Sequence, residues 1–138
     1  MRTKYLIKDI SELLDLNPKT IRFYEDEGII PKAKRNKSNY RVYTTHDVNR
    51  IAFVKKARAL GISIEDIKKI IAIREGGELP CCTVISILER NEKELEEKIQ
   101  EMQNFKDKIS HVIKNFKENI KVGKNGEICG LIENLFQE

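Results

Sequence analysis

Residues 17 to 28 read Asn17-Pro18-Lys19-Thr20-Ile21-Arg22-Phe23-Tyr24-Glu25-Asp26-Glu27-Gly28. An asparagine oxygen caps a helix start, proline suits the first helical position because no backbone donor is needed there, and glycine permits the left-handed residue that ends a helix. A helix of about ten residues follows, with Ile21 and Tyr24 on one face. Upstream, Leu6, Ile10, Leu13 and Leu14 stand near helical spacing, and Asp15-Leu16-Asn17 breaks the pattern, so a first short helix precedes a tight turn. Downstream, Pro31 blocks continuation, Asn36, Ser38 and Asn39 are turn formers, and Tyr40-Arg41-Val42-Tyr43 is strand-like. This predicts a basic two-stranded wing. Thr44 with Asp47 opens a third helix that runs to Gly61. Ser63 with Asp66 opens a fourth, which Gly76-Gly77 stops.

After Pro80 there is no glycine or proline until past Ile120, and Leu88, Leu95, Ile99, Met102, Ile109, Val112 or Ile113, Phe116 and Ile120 mostly step by three, four or seven. One long helix with a narrow apolar seam is expected. About forty residues at about 1.5 Å each span roughly 60 Å, more than a domain of this size can cover. The sequence contains no second helix of matching length, so the seam is expected to pair with the same helix of another copy, in a twofold coiled-coil homodimer. The fold class expected is mainly α: a winged helix-turn-helix over residues 1–78, a long antiparallel dimerisation helix over 79–120, and an effector loop with a short helix over 121–138.

A chain of 138 residues holds one ordinary domain, or a small domain with an appendage. Its longest apolar runs, Ile51 to Val54 and Ile70 to Ile73, fall far short of the roughly 20 residues that cross a bilayer. Neither a membrane partner nor a signal peptide is expected, which points to the cytoplasm. Before Pro80 there are 17 basic and 11 acidic residues, and after it 9 and 11, so the parts carry +6 and −2. Residues 28 to 58 hold nine of those bases against the single acid Asp47, the footprint of a polyanion partner. A solvated lysine-rich surface is the plainer alternative. The three cysteines Cys81, Cys82 and Cys129 are odd in number and two are adjacent, which fits free thiols or thiolate ligands better than a disulfide framework.

The order of elements, and above all Thr20-Ile21-Arg22-Phe23-Tyr24-Glu25 with Gly28-Ile29-Ile30-Pro31, Arg35 with Asn39-Tyr40-Arg41-Val42-Tyr43, and Leu60-Gly61-Ile62-Ser63 with Ile64-Glu65-Asp66-Ile67, resembles the MerR family of bacterial transcription regulators. The resemblance runs the length of the chain and is closest over its first 75 residues. It departs at Asn39, where the family usually has glycine, although asparagine also tolerates positive φ. What it implies is a dimer on double-stranded DNA at a pseudo-palindromic promoter operator, which untwists an overlong spacer for RNA polymerase when an effector binds.

A recognition helix turns its N-terminal residues to base edges, which here are Lys19, Thr20 and Arg22. The resemblance gives phosphate contacts to Arg22, Tyr24, Tyr40, Arg41 and Tyr43, with Arg35 in the wing. Phe23 is expected in the core, Tyr43 half in it, and Arg41 exposed. Lys56, with Lys55 and Arg58, is either a second phosphate patch or the wet face of its helix.

About 38 helical residues, roughly 57 Å, separate Cys82 from Ile120, so Cys81 and Cys82 cannot meet Cys129 within one chain. In an antiparallel pair the start of one helix lies beside the end of the other. Thiolates select soft ions such as Hg(II), Cu(I), Zn(II) or Cd(II). The resemblance implies a metal site at this place in metal-sensing members, although those generally carry two loop cysteines and this chain has only Cys129. A soft metal ion on Cys81, Cys82 and Cys129 is the leading effector. A thiol-redox or electrophile sensor, structural or vestigial cysteines with another effector, and an effector-independent DNA-binding protein are the alternatives. His46 falls in the DNA-binding part, and the sequence has no phosphate loop or paired-acid motif, so an enzyme is not expected.

Overall fold

The computed structural model describes residues 3–118 and 128–133. Its elements are β1 (Lys4–Leu6), α1 (Ile7–Leu14), α2 (Pro18–Asp26), β2 (Lys34–Arg35), β3 (Arg41–Thr44), α3 (Thr45–Ala59), α4 (Ile64–Glu75), α5 (Cys81–Glu118) and α6 (Gly130–Glu133). The chain divides into two compact units, the first ending at Asn91 and the second beginning at Glu92.

The helix starts are set by side-chain caps. Asn17 Oδ1 accepts from Lys19 N–H at 2.9 Å, with Pro18 opening α2. Thr44 Oγ1 accepts from Asp47 N–H at 3.1 Å while Thr44 N–H donates back to Asp47 Oδ2 at 2.9 Å, a reciprocal box that starts α3. Ser63 does the same service for α4 by accepting from Asp66 N–H. Gly28, at φ +78°, ends α2 while Ile29 N–H donates to Tyr24 C=O at 3.0 Å.

The wing is a three-stranded antiparallel sheet in the order β1-β3-β2, not a two-stranded one. Residues 4 to 6, of which Tyr5 and Leu6 were expected in the first helix, pair with β3, with Lys4 opposite Thr44 and Leu6 opposite Val42. Only tertiary pairing decides this, because three residues carry too little pattern to show a strand. In the wing tip Asn36 Oδ1 accepts from Ser38 and Tyr40 N–H, and Asn39 takes the left-handed conformation at φ 67°, as the turn requires.

The core of the first unit collects Ile10 of α1, Ile21 and Tyr24 of α2, Tyr43 of β3, Ile51 and Val54 of α3, and Ile67 and Ile70 of α4. Ile87 of α5 joins it, with Val84 and Leu88 packed alongside, and Arg90 reaches Asp66 Oδ2 at 2.6 Å. The first compact unit therefore runs past the boundary expected at 78, because the opening turns of α5 bury apolar side chains in it. From Glu92 to Phe116 the helix buries none: Leu95, Ile99, Met102, Phe105, Ile109 and Phe116 are all exposed.

Candidate nucleic-acid interface

Helix α2 turns three kinds of side chain in three directions. Ile21, Tyr24 and Glu25 are buried, Thr20 and Arg22 are half-buried, and Lys19, Phe23 and Asp26 are exposed. Tyr24 is 5% exposed and Phe23 is 45% exposed, so the expected roles of these neighbours are exchanged. The cause is helical phase: Tyr24 follows Ile21 by three residues and shares its inward face, whereas Phe23 is turned about 100° away. Burial also raises the Tyr24 hydroxyl above its ordinary pKa, partly opposed by the Arg58 charge. Phosphate contact by Tyr24 is thus corrected to a core role.

Tyr43 is corrected in the same way, since it has no exposed surface. Its hydroxyl donates to Glu25 Oε2 at 3.0 Å. Burial first, then the hydrogen bond and charge of Glu25, push its pKa far above the usual tyrosine value. Glu25 is the joint between α2 and the wing. Its Oε1 accepts from Ala33 N–H at 2.8 Å, and its Oε2 lies 3.5 Å from Arg41 Nε. A carboxylate this buried is tolerable because both of its oxygens accept a hydrogen bond and a guanidinium stands beside them. The motif Phe23-Tyr24-Glu25 contained this residue, but nothing local distinguishes a buried glutamate from a solvated one.

Arg41 is also less free than expected: its side chain is 33% exposed and paired with Glu25 through Nε. Its two terminal nitrogens have no partner among the described residues. The charges of Arg22 and Arg41 both act on Tyr43, so the recognition helix and the wing bring two cations to one place. Tyr40 and Arg35 are exposed at the wing, and Arg35 donates to Asn39 C=O at 2.8 Å. At the end of α3, Lys55 caps α1 through Leu14 C=O and Arg58 binds Ile62 C=O at 3.0 Å. Of that basic cluster only Lys56 stands exposed without a partner among the described residues.

The three thiols are free and exposed. Cys81 lies with His46 on an apolar groove of about 630 Å³ walled by Phe53, Ile71, Val84 and Ile85, although the sequence had set this histidine and cysteine apart. No group of three metal-ligating side chains occurs among the described residues. Cys81 and Cys82 belong to the first unit and Cys129 to the second.

A capped recognition helix joined through a buried carboxylate to a basic wing defines a DNA-binding winged helix-turn-helix protein. Two family models match over overlapping ranges, the MerR helix-turn-helix regulatory protein family over residues 5–72 and the MerR DNA-binding family over residues 48–112. The chain belongs to the MerR family of transcription regulators. It is 34% identical to a helix-turn-helix transcriptional regulator of Synechocystis over 94% of this chain and 95% of that one. It is 26% identical to the mercuric resistance operon regulatory protein of Bacillus cereus over 98% and 99%. Among solved structures, the regulator PbrR691 of Ralstonia metallidurans, in complex with lead(II), covers 98% of both chains with a TM-score of 0.71 at 23% identity. The protein is a transcription regulator and not an enzyme.

Proposed function

We propose that the protein acts as a homodimer on a pseudo-palindromic promoter operator, alongside RNA polymerase, and that a soft metal ion bound by thiolates gates it. The exposed apolar seam of α5 carries the dimer reading, since Leu95, Ile99, Met102, Phe105, Ile109 and Phe116 are left uncovered by the described residues. Lys19, Thr20, Arg22, Arg35, Tyr40, Arg41 and Lys56 are the DNA contacts, with the arginines and lysines on phosphates and the start of α2 toward the bases.

The effector reading rests on three free, exposed thiols, two at the start of α5 and one beyond its end in sequence. Among the described residues of one chain they form no three-ligand group. They form one if α5 pairs antiparallel, so that Cys81 and Cys82 of one copy meet Cys129 of the other. The Bacillus cereus and Ralstonia relatives, a mercuric resistance regulator and a lead(II) complex, support a heavy-metal effector. When bound, such an ion would hold the thiols of two chains together; the metal itself is left open among Hg, Cu, Zn, Cd and Pb.

The test is complementation between chains. A heterodimer of Cys81→Ser/Cys82→Ser chains with Cys129→Ser chains is expected to keep one tight site, and each mutant homodimer none. Titration with Hg(II), Cd(II), Zn(II) and Pb(II) against a competing thiol, followed by thiolate-to-metal absorption, reads the outcome. Affinity should fall as pH drops, because ligation displaces thiol protons. Equal binding by all three dimers would refute the shared site.

A further inference from the structure

The outward face of the recognition helix carries Lys19, then Phe23 one turn later, then Asp26. A phenyl ring thus stands at the centre of that face. It is 45% exposed, its nearest aromatic neighbour is Tyr24 at 6.1 Å between ring centres, and it lacks the hydroxyl with which a tyrosine would hold a phosphate. The helix core does not need it, because Ile21 and Tyr24 already fill that role.

We infer that Phe23 reads a thymine methyl group on the major-groove edge of the operator. The inference rests on α2 facing the major groove. Base edges there offer hydrogen-bond donors and acceptors, to which a phenyl ring contributes nothing, and one apolar group, the C5-methyl of thymine. Lys19 and Arg22 flank the ring with positive charge, which holds the face against the duplex while the ring excludes water from the methyl. Phe23 is then a specificity residue, whereas Arg22 and Arg41 contribute affinity to any sequence.

An operator duplex would be selected from a random library with the full-length protein, and each thymine then replaced by deoxyuridine, which removes only the methyl. Wild type should lose about fourfold in affinity at one thymine of each half-site, the factor expected for one buried methyl group. Phe23→Ala should bind the parent duplex more weakly and be indifferent to the same replacement, with its salt dependence unchanged because no phosphate contact is lost. Phe23→Leu, which keeps an apolar side chain, should retain part of the methyl effect. Indifference of wild type to every deoxyuridine, or a methyl effect that persists undiminished in Phe23→Ala, would overturn the role of Phe23. Selection yielding no preferred sequence would overturn it together with the placement of α2 in the groove.

Discussion

Replacing Tyr43 by phenylalanine removes one oxygen from the joint between the recognition helix and the wing. The ring stays in the core, so no cavity opens. Glu25 Oε2 loses the hydroxyl at 3.0 Å and keeps only Arg41 Nε at 3.5 Å, beyond good hydrogen-bond length. A hydrogen bond to a buried carboxylate is worth about 2 kcal/mol, and the loss should be near that value. Alkaline pH gives a second signature. The Tyr43 pKa is raised in the folded chain from an ordinary value of 10.0, so its contribution is fully present below pH 10 and lost as pH rises toward the folded value. As pH rises through 10 the unfolded chain releases this proton and the folded chain does not, so wild-type stability should fall on this account by about 1 kcal/mol between pH 10 and 11, the slope approaching about 1.4 kcal/mol per pH unit beyond that. Tyr24, also raised by burial, adds a decline of the same sign that survives in the variant. Urea unfolding of both proteins at one concentration, at pH 8 and at steps between pH 10 and 11, would show it. Equal stability at pH 8 together with parallel alkaline slopes would refute the assignment of Tyr43 to the joint.

Arg22→Ala should weaken binding to specific and unrelated duplexes alike and reduce the slope of log affinity against log salt by about 0.9, measured by fluorescence anisotropy across a salt series. Ile109→Asp places a charge on the exposed seam of α5, and sedimentation should find monomer or unfolded chain; a stable dimer would mean that the seam pairs with something else. At Asn39, φ 67° makes Asn39→Ala about 1 kcal/mol less stable in thermal or urea unfolding, whereas Asn39→Gly should match wild type.

What the chain's sequence determined by itself is local. Asn17-Pro18, Thr44 with Asp47, and Ser63 with Asp66 announce three helix starts because a cap and its donor lie within three residues of each other. The seam from Leu95 to Phe116 is readable for the same reason, its spacing being that of a single helix. Tertiary structure alone decided three things. Residues 4 to 6 become a strand because β3, nearly forty residues away in sequence, supplies their hydrogen bonds. Tyr24 turns inward and Phe23 outward because the face that α2 buries depends on what packs against it, and Tyr43 turns inward from strand β3 for the same reason; a motif lists its aromatic residues without saying which way each points. Glu25 becomes the joint because Ala33, Arg41 and Tyr43 converge on one carboxylate, and such convergence of donors exists only once the chain has folded.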